Sequence, residues 1–308
     1  MRRAAVSVDL DEIHHYFAIH GLGTPPERTA HAVYDLALER CFAFARELGI
    51  PLTLFVVAAD LERPENVRAL RRALELGHEI GNHSKDHLYD LTRRSPEEQR
   101  EQVGGALALF ESHLGIRPKG FRAPGYTVSD HLLRIVAEAG HSYDSSVFPC
   151  PAYYAAKAAA LGMIKLRGRR SHSVLDHPSV LTAPTQPYRL GEPYTTPGGG
   201  MWEFPIQVTR GPRLPFIGTA LTMAGRLGAR VLTELVIQEP FANLELHGID
   251  FLDESDAGLA GLRGYQPDVK VTWSTKRETL TRVIERMHRA AFAFSTLAGF
   301  TDVQLASN

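Results

Sequence analysis

Short apolar runs alternate with stretches of helical spacing along the first half of the chain. Ala4 to Val8 is a compact apolar run that meets an acid at Asp9. Pro26 to Leu48 places Ala30, Val33, Ala37, Cys41, Phe44 and Leu48 on one helical face, and Gly49 suits the helix end. Leu52 to Val57 reads as a buried strand. Pro64 opens a helix that runs to Leu76 and closes at Gly77. His78 to Gly81 is a short strand run leading to a polar turn. Ser95, with Glu98 three residues on and Pro96 between them, is a capping-box start for a helix ending near Leu114. Gly120 to Arg122, then a helix over Ser129 to Ala139, then Ser142 to Asp144 continue the alternation. Later units are a strand over Met201 to Gln207, a helix over Thr219 to Gln238, a strand over Ala242 to Leu246, a helix over Lys276 to Ala291 and a last strand over Ala293 to Leu297.

Strand, helix, strand at these spacings predicts βα units around a parallel sheet. Polar residues recur where the strands should end: Asp9 and Asp11, His83 and His87, Arg122, Asp144. In a parallel barrel those ends share one face, where active sites are built. The rhythm breaks between Pro149 and Pro215, a proline-dense segment with Gly198-Gly199-Gly200. It is too long for an ordinary βα loop and reads as an insertion over the barrel mouth.

Composition narrows the classes. The 308 residues carry 34 Lys+Arg against 35 Asp+Glu, so no global charge calls for nucleic acid as partner. Two cysteines, Cys41 and Cys150, exclude a disulfide scaffold or a cysteine-rich zinc site. The apolar stretch before Asp9 is too short for a signal-peptide core, and nothing reaches membrane-spanning length, so the expected location is the cytoplasm. Leu214 to Ile237 is apolar with only Arg226, Arg230 and Glu234 charged; it reads as a buried barrel helix, with membrane contact as the alternative.

Residues two apart on a strand face the same way, so Asp9 and Asp11 project into one space. Carboxylates that close need a shared cation or proton. His83 and His87, four apart, would face one side of a helical turn and bind one ion. Two imidazoles and one Asp leave coordination positions for water and substrate, the open arrangement of a catalytic divalent site. Zinc is the default for such donors, with cobalt, nickel or manganese also fitting. Arg122 can orient a carboxylate, and Pro124-Gly125 shapes a tight turn. His247 ends a late strand and would supply a general acid. His14 and His15 read as a polar rim. Asp250 and Asp253 read as turn caps or substrate contacts. Trp202 reads as core, and the basic turn of Arg167, Arg169 and Arg170 as solvated.

The chain resembles the polysaccharide deacetylase family, carbohydrate esterase family 4, through five motifs in order. These are Ser7-Val8-Asp9-Leu10-Asp11, His83 to His87, Arg122-Ala123-Pro124, Tyr143-Asp144-Ser145-Ser146 and Leu244 to His247. The resemblance implies an α/β fold, a distorted (β/α)7-type barrel spanning 1–308 as one domain with an insertion at about 149–215. It implies metal ligands Asp11, His83 and His87, Asp9 as general base oriented by Arg122, and His247 as general acid tuned by Asp144. It also implies that Leu246 lines the acyl pocket, with Pro124, Gly125 and Tyr126 shaping the substrate site. The spaced Asp-x-Asp pair, Gly125 after the proline and Phe148 in a tryptophan's usual place depart from the common pattern. The expected activity is metal-dependent removal of an acetyl or formyl group from an amino sugar or sugar-containing intermediate. The alternative is opening of a cyclic amide, as in allantoinase-like relatives. Expected partners are that small substrate and a possible second copy of the chain.

Overall fold

Nine strands form one curled sheet in the computed structural model, which describes residues 2–166, 168, 171, 173–256 and 258–305. The first units are β1 (Arg2–Asp9), α1 (Ile13–His20), α2 (Glu27–Ala30), α3 (Leu38–Leu48), β2 (Thr53–Val56), α4 (Pro64–Glu75) and β3 (Glu79–Asn82). Then come α5 (Pro96–Arg100), α6 (Ala106–Leu114), β4 (Gly120–Phe121), α7 (Asp130–Glu138) and β5 (Tyr143–Asp144). The remainder is α8 (Pro151–Leu166), β6 (Tyr188–Leu190), β7 (Pro197–Glu203), α9 (Gly218–Met223), α10 (Gly225–Val236), β8 (Phe241–His247), α11 (Trp273–Arg289), β9 (Phe292–Phe294) and α12 (Leu297–Leu305).

The strand order is β6-β7-β5-β4-β3-β2-β1-β8, with β9 added on β1. Every pairing is parallel except β6 with β7. Residues 204–207 span the open side. There Gln207 N donates to Asn243 O at 3.1 Å, and Asn243 Nδ2 donates to Phe204 O at 3.1 Å. The curl is thereby drawn into the expected distorted barrel.

Alternation along β1 and β8 sorts side chains into two layers. Val6, Val8, Leu244 and Leu246 pack outward with Val33, Leu38 and Phe44 of the helical shell. Ser7, Asp9, Glu245 and His247 have the opposite parity and face the barrel interior. The barrel floor is aromatic, with Phe55, Tyr143, Phe204 and Phe241 buried around Ala5. Glycine is required there: a Cβ on Gly120 would lie 2.0 Å from the Tyr143 ring, and one on Gly81 would lie 2.6 Å from the Phe55 ring.

Several elements differ from the sequence reading; the last strand, expected over Ala293 to Leu297, is β9 followed by the start of α12. The helix expected over Pro26 to Leu48 is interrupted after α2, and Val33–Ala37 is π-helical before α3 begins. The face still works, because Val33, Ala37, Cys41 and Phe44 are buried. The helix expected over Thr219 to Gln238 breaks at Gly225, whose φ of 64° is left-handed. The segment between Pro149 and Pro215 does not all lie outside the barrel. It opens with α8, but its end folds into the β6–β7 hairpin, and β7 pairs with β5. No described helix is long and apolar enough to cross a membrane. The arginines at 167, 169 and 170 lie outside the described residues.

Candidate active site

A fully buried arginine organises the interior above the aromatic floor. Arg122 Nη1 donates to Asp9 Oδ1 at 2.6 Å, Nη2 to Ser7 Oγ and Ser145 Oγ at 3.0 and 2.8 Å, and Nε to Ser145 O at 2.7 Å. Its guanidinium lies 4.2 Å from the centre of the Phe55 ring. Four hydrogen bonds and a stacked face fix one rotamer, so Asp9 is held by a rigid partner.

Asp11, two residues on, meets the histidines. Its Oδ1 lies 3.2 Å from His83 Nε2 and 3.1 Å from His87 Nε2. Asp9 Oδ2 is 3.8 Å from His83 Nε2. His83 Nδ1 sits 2.8 Å from Arg122 O, so the ring donates there and turns a lone pair on Nε2 toward Asp11. Burial opposes the Asp11 charge, but His87 and His83 outweigh it and hold this carboxyl well below the usual range. Burial pulls His87 below the ordinary imidazole value, favouring the neutral ligand form.

The two histidines do not sit on a helical turn. They converge through a loop in which Ser84 and His87 are left-handed, with φ of 67° and 55°. Asn82 Oδ1 accepts Ser84 N at 2.9 Å, and Ser84 Oγ accepts His87 N at 3.1 Å, which holds that strained turn.

The donor set fits a divalent cation. Asp11 Oδ1 and His87 Nε2 are buried and make no hydrogen bond among the described residues. Orphaned polar atoms this close are costly unless a cation satisfies them. One oxygen and two imidazole nitrogens are the donors that zinc-type ions take in open sites.

His247 faces the same space, with Nε2 3.9 Å from Asp11 Oδ2 and 3.2 Å from the Tyr126 hydroxyl. In the β1–β8 register it lies beside Asp9. Its Nδ1 is 2.8 Å from Glu245 Oε1. Burial works against an imidazolium here, but Glu245, then Asp9 and Asp11, raise His247 well above its usual value.

Two expected roles are corrected. Asp144 does not reach His247. It is buried, accepts Ser146 N and Oγ at 2.9 and 2.8 Å, and lies against Glu203. Burial, then the Asp144 charge, pushes Glu203 well above the carboxylate range, so the pair shares a proton. Ser146 Oγ in turn accepts Ala123 N at 2.8 Å, so Asp144 braces the loop beside Arg122. The carboxylate on His247 is Glu245, which the sequence reading missed. Strand alternation carried the signal, since Glu245 and His247 are two apart. The same alternation removes Leu246 from the pocket: it points into the helical shell beside Leu244 and against Gly218.

The Pro124-Gly125-Tyr126 turn forms one wall. Gly125 and Tyr126 are consecutive left-handed residues, with φ of 62° and 59°. Tyr126 packs on Phe148 and Tyr153, and Lys157 of α8 donates to Gly125 O at 3.0 Å. Burial lowers the Lys157 ammonium to about 8. His15 is buried with its ring 4.3 Å from that of His87, while His14 is exposed. Asp250 accepts His247 N and Asp253 accepts Trp273 N, so both cap turns. Trp202 packs in the aromatic floor.

Comparisons with known proteins point one way. Residues 32–143 match the family model described as polysaccharide deacetylase. That match contains His83, His87 and Arg122. Over those residues the chain is similar to the polysaccharide deacetylase family.

The chain is 30% identical over 96 residues to a peptidoglycan-N-acetylglucosamine deacetylase of Bacillus cereus, a match covering 31% of this chain and 43% of that protein. It is 31% identical over 97 residues to a peptidoglycan deacetylase-like protein of Gibberella zeae, covering 31% and 28% respectively. The chain thus spans less than half the length of the curated relatives it matches. In fold it is similar to a Mycobacterium smegmatis structure described as a polysaccharide deacetylase, with a TM-score of 0.51 at 19% identity over 96% of this chain and 94% of that one. A family pseudoenzyme from Bacillus anthracis gives the same score at 12% identity over 97% and 65%. A shared fold therefore does not by itself carry an activity.

Proposed function

We propose that this chain is a divalent-metal-dependent hydrolase that removes an N-acyl group, acetyl or formyl, from an amino sugar or a sugar-containing intermediate. The observation that carries the reading is the convergence of Asp11 Oδ1 with His83 and His87 Nε2 within 3.2 Å, beside an arginine-held Asp9 and a carboxylate-paired His247. Asp11, His83 and His87 would hold a divalent cation, zinc first by donor type, which would polarise the acyl carbonyl and acidify a water.

The chain's own groups do the rest. Asp9 takes the proton of the attacking water, and Arg122 keeps its second oxygen occupied and its rotamer fixed. His247 delivers the proton that lets the amide C–N bond break and the amine leave. Glu245 keeps that ring charged until then. Tyr126, whose phenol is held far above its ordinary value by burial, stays neutral and fixes the ring at Nε2. The rings of Tyr126 and Tyr153, backed by the buried Phe148, suit the apolar face of a sugar. A cyclic amide site would want a rim of Arg and Asn, and Arg122 is already committed to Asp9, Ser7 and Ser145.

The test is release of acetate or formate from N-acetyl and N-formyl amino sugars by purified chain loaded with zinc or cobalt. Inertness toward all of them, with a normal fold and bound metal, would end this reading.

A further inference from the structure

Charge and exposed apolar surface are not spread evenly along this chain. Counted in the sequence, residues 151–237 hold ten Lys/Arg and four Asp/Glu, a net of +6 in a chain whose total is −1. The same stretch contains every exposed large apolar side chain among the described residues except Leu76.

Part of that apolar surface lies on α9 and α10, with two of the ten cations, Arg226 and Arg230. Leu227 and Val231, one turn apart on α10, are 75% and 53% exposed, and Met223 at the end of α9 is 53% exposed. The inner face of α10 is already filled by Ala229, Thr233 and Val236, so the outer stripe is not needed for the core. Arg226 and Arg230 stand beside it on the same exposed face. Across a groove of about 590 Å³, α11 adds Arg282, Arg286 and Arg289. Arg226 and Arg282 pair with Glu278, Arg286 with Glu234 and Arg289 with Glu285, which leaves these five arginines, Arg230 among them, against three glutamates. Arg230 has no ion-pair partner among the described residues.

We propose that the α9–α10 face docks on an anionic phospholipid surface. The apolar stripe enters the headgroup boundary while the flanking arginines lay their stems along it and meet lipid phosphates. Charge selects this occupant over a second copy of the chain. A twofold contact would set the same arginines against one another, whereas anionic headgroups complement them. The first residue of α9, Gly218, lies against Asp250, whose carboxylate accepts His247 N. This goes beyond the deacylase reading and is tested without activity.

The experiment is co-sedimentation of the full chain with phosphatidylcholine vesicles, with and without phosphatidylglycerol. Binding to the anionic vesicles alone is expected, weakening with added salt. Replacing Leu227 and Val231 together by Glu should abolish it, and Arg230→Gln should weaken it about fivefold. All these sites are exposed, and circular dichroism melts check that the variants fold. Equal partition to neutral vesicles, no partition, or a Leu227→Glu, Val231→Glu variant that binds like the parent would overturn the proposal. So would a dimer in sedimentation equilibrium that the double variant dissolves without any vesicle binding.

Discussion

Nδ1 of His247 lies 2.8 Å from Oε1 of Glu245, two residues earlier on β8. Both residues sit at the C-terminal end of one strand, so the backbone itself sets their spacing. Glu245 is fully buried, and among the described residues its carboxylate has no hydrogen-bond partner other than this ring contact. The pair therefore behaves as one unit, with Glu245 deciding the charge of His247.

A pH dependence follows with a definite sign. His247 is raised above its usual value, so its acid form is present at neutral pH and is lost as pH rises through the raised pKa. Glu245→Gln removes the main raising charge. The alkaline limb of kcat/KM should move to lower pH, and the acidic limb should stay in place. A pH–rate profile with an unmoved alkaline limb would detach Glu245 from the acid.

Metal binding should be visible without turnover. Zinc at about a hundred times its Kd should stabilise the parent chain by about 2.7 kcal/mol, read as a rise in Tm. His87→Ala should lose that rise. His247→Ala should keep it while losing about a hundredfold or more in kcat. A His87→Ala variant that still gains stability from zinc would place the ion elsewhere.

Arg122 is as much a structural residue as a positioning one. Arg122→Met leaves Asp9 buried without its cation, and loss of about 3–5 kcal/mol is expected in urea unfolding. Pairing it with Asp9→Asn should restore part of that stability and none of the activity. If the double variant is no more stable than the single one, the ion pair is not the cause.

Leu246 separates two accounts of one side chain. Packed outward between the sheet and α9, it should cost about 2–5 kcal/mol when cut to Ala. The ratio of kcat/KM for acetyl and formyl substrates should not change. A shifted ratio at unchanged stability would put Leu246 back in the acyl pocket.

Much of this was readable along the chain. The βα alternation, the Ser95–Glu98 capping box and the spacing of Asp9, Asp11, His83, His87, Arg122 and His247 are local features. They depend on period, turn chemistry and side-chain type, which a linear sequence states directly. Even Glu245 was within reach, because strand parity is local.

Tertiary structure decided the rest. Parity predicts that Asp144 faces inward, but it cannot say that Glu203, arriving on β7 from the far side of the long segment, will share its proton. The left-handed turn at Ser84 and His87 depends on Asn82 bonding back to Ser84 within a paired strand. The Arg122 grip on Asp9 joins residues 113 apart. Such relations arise when the sheet curls and brings strand ends together, and only then do burial and distance fix which charges meet.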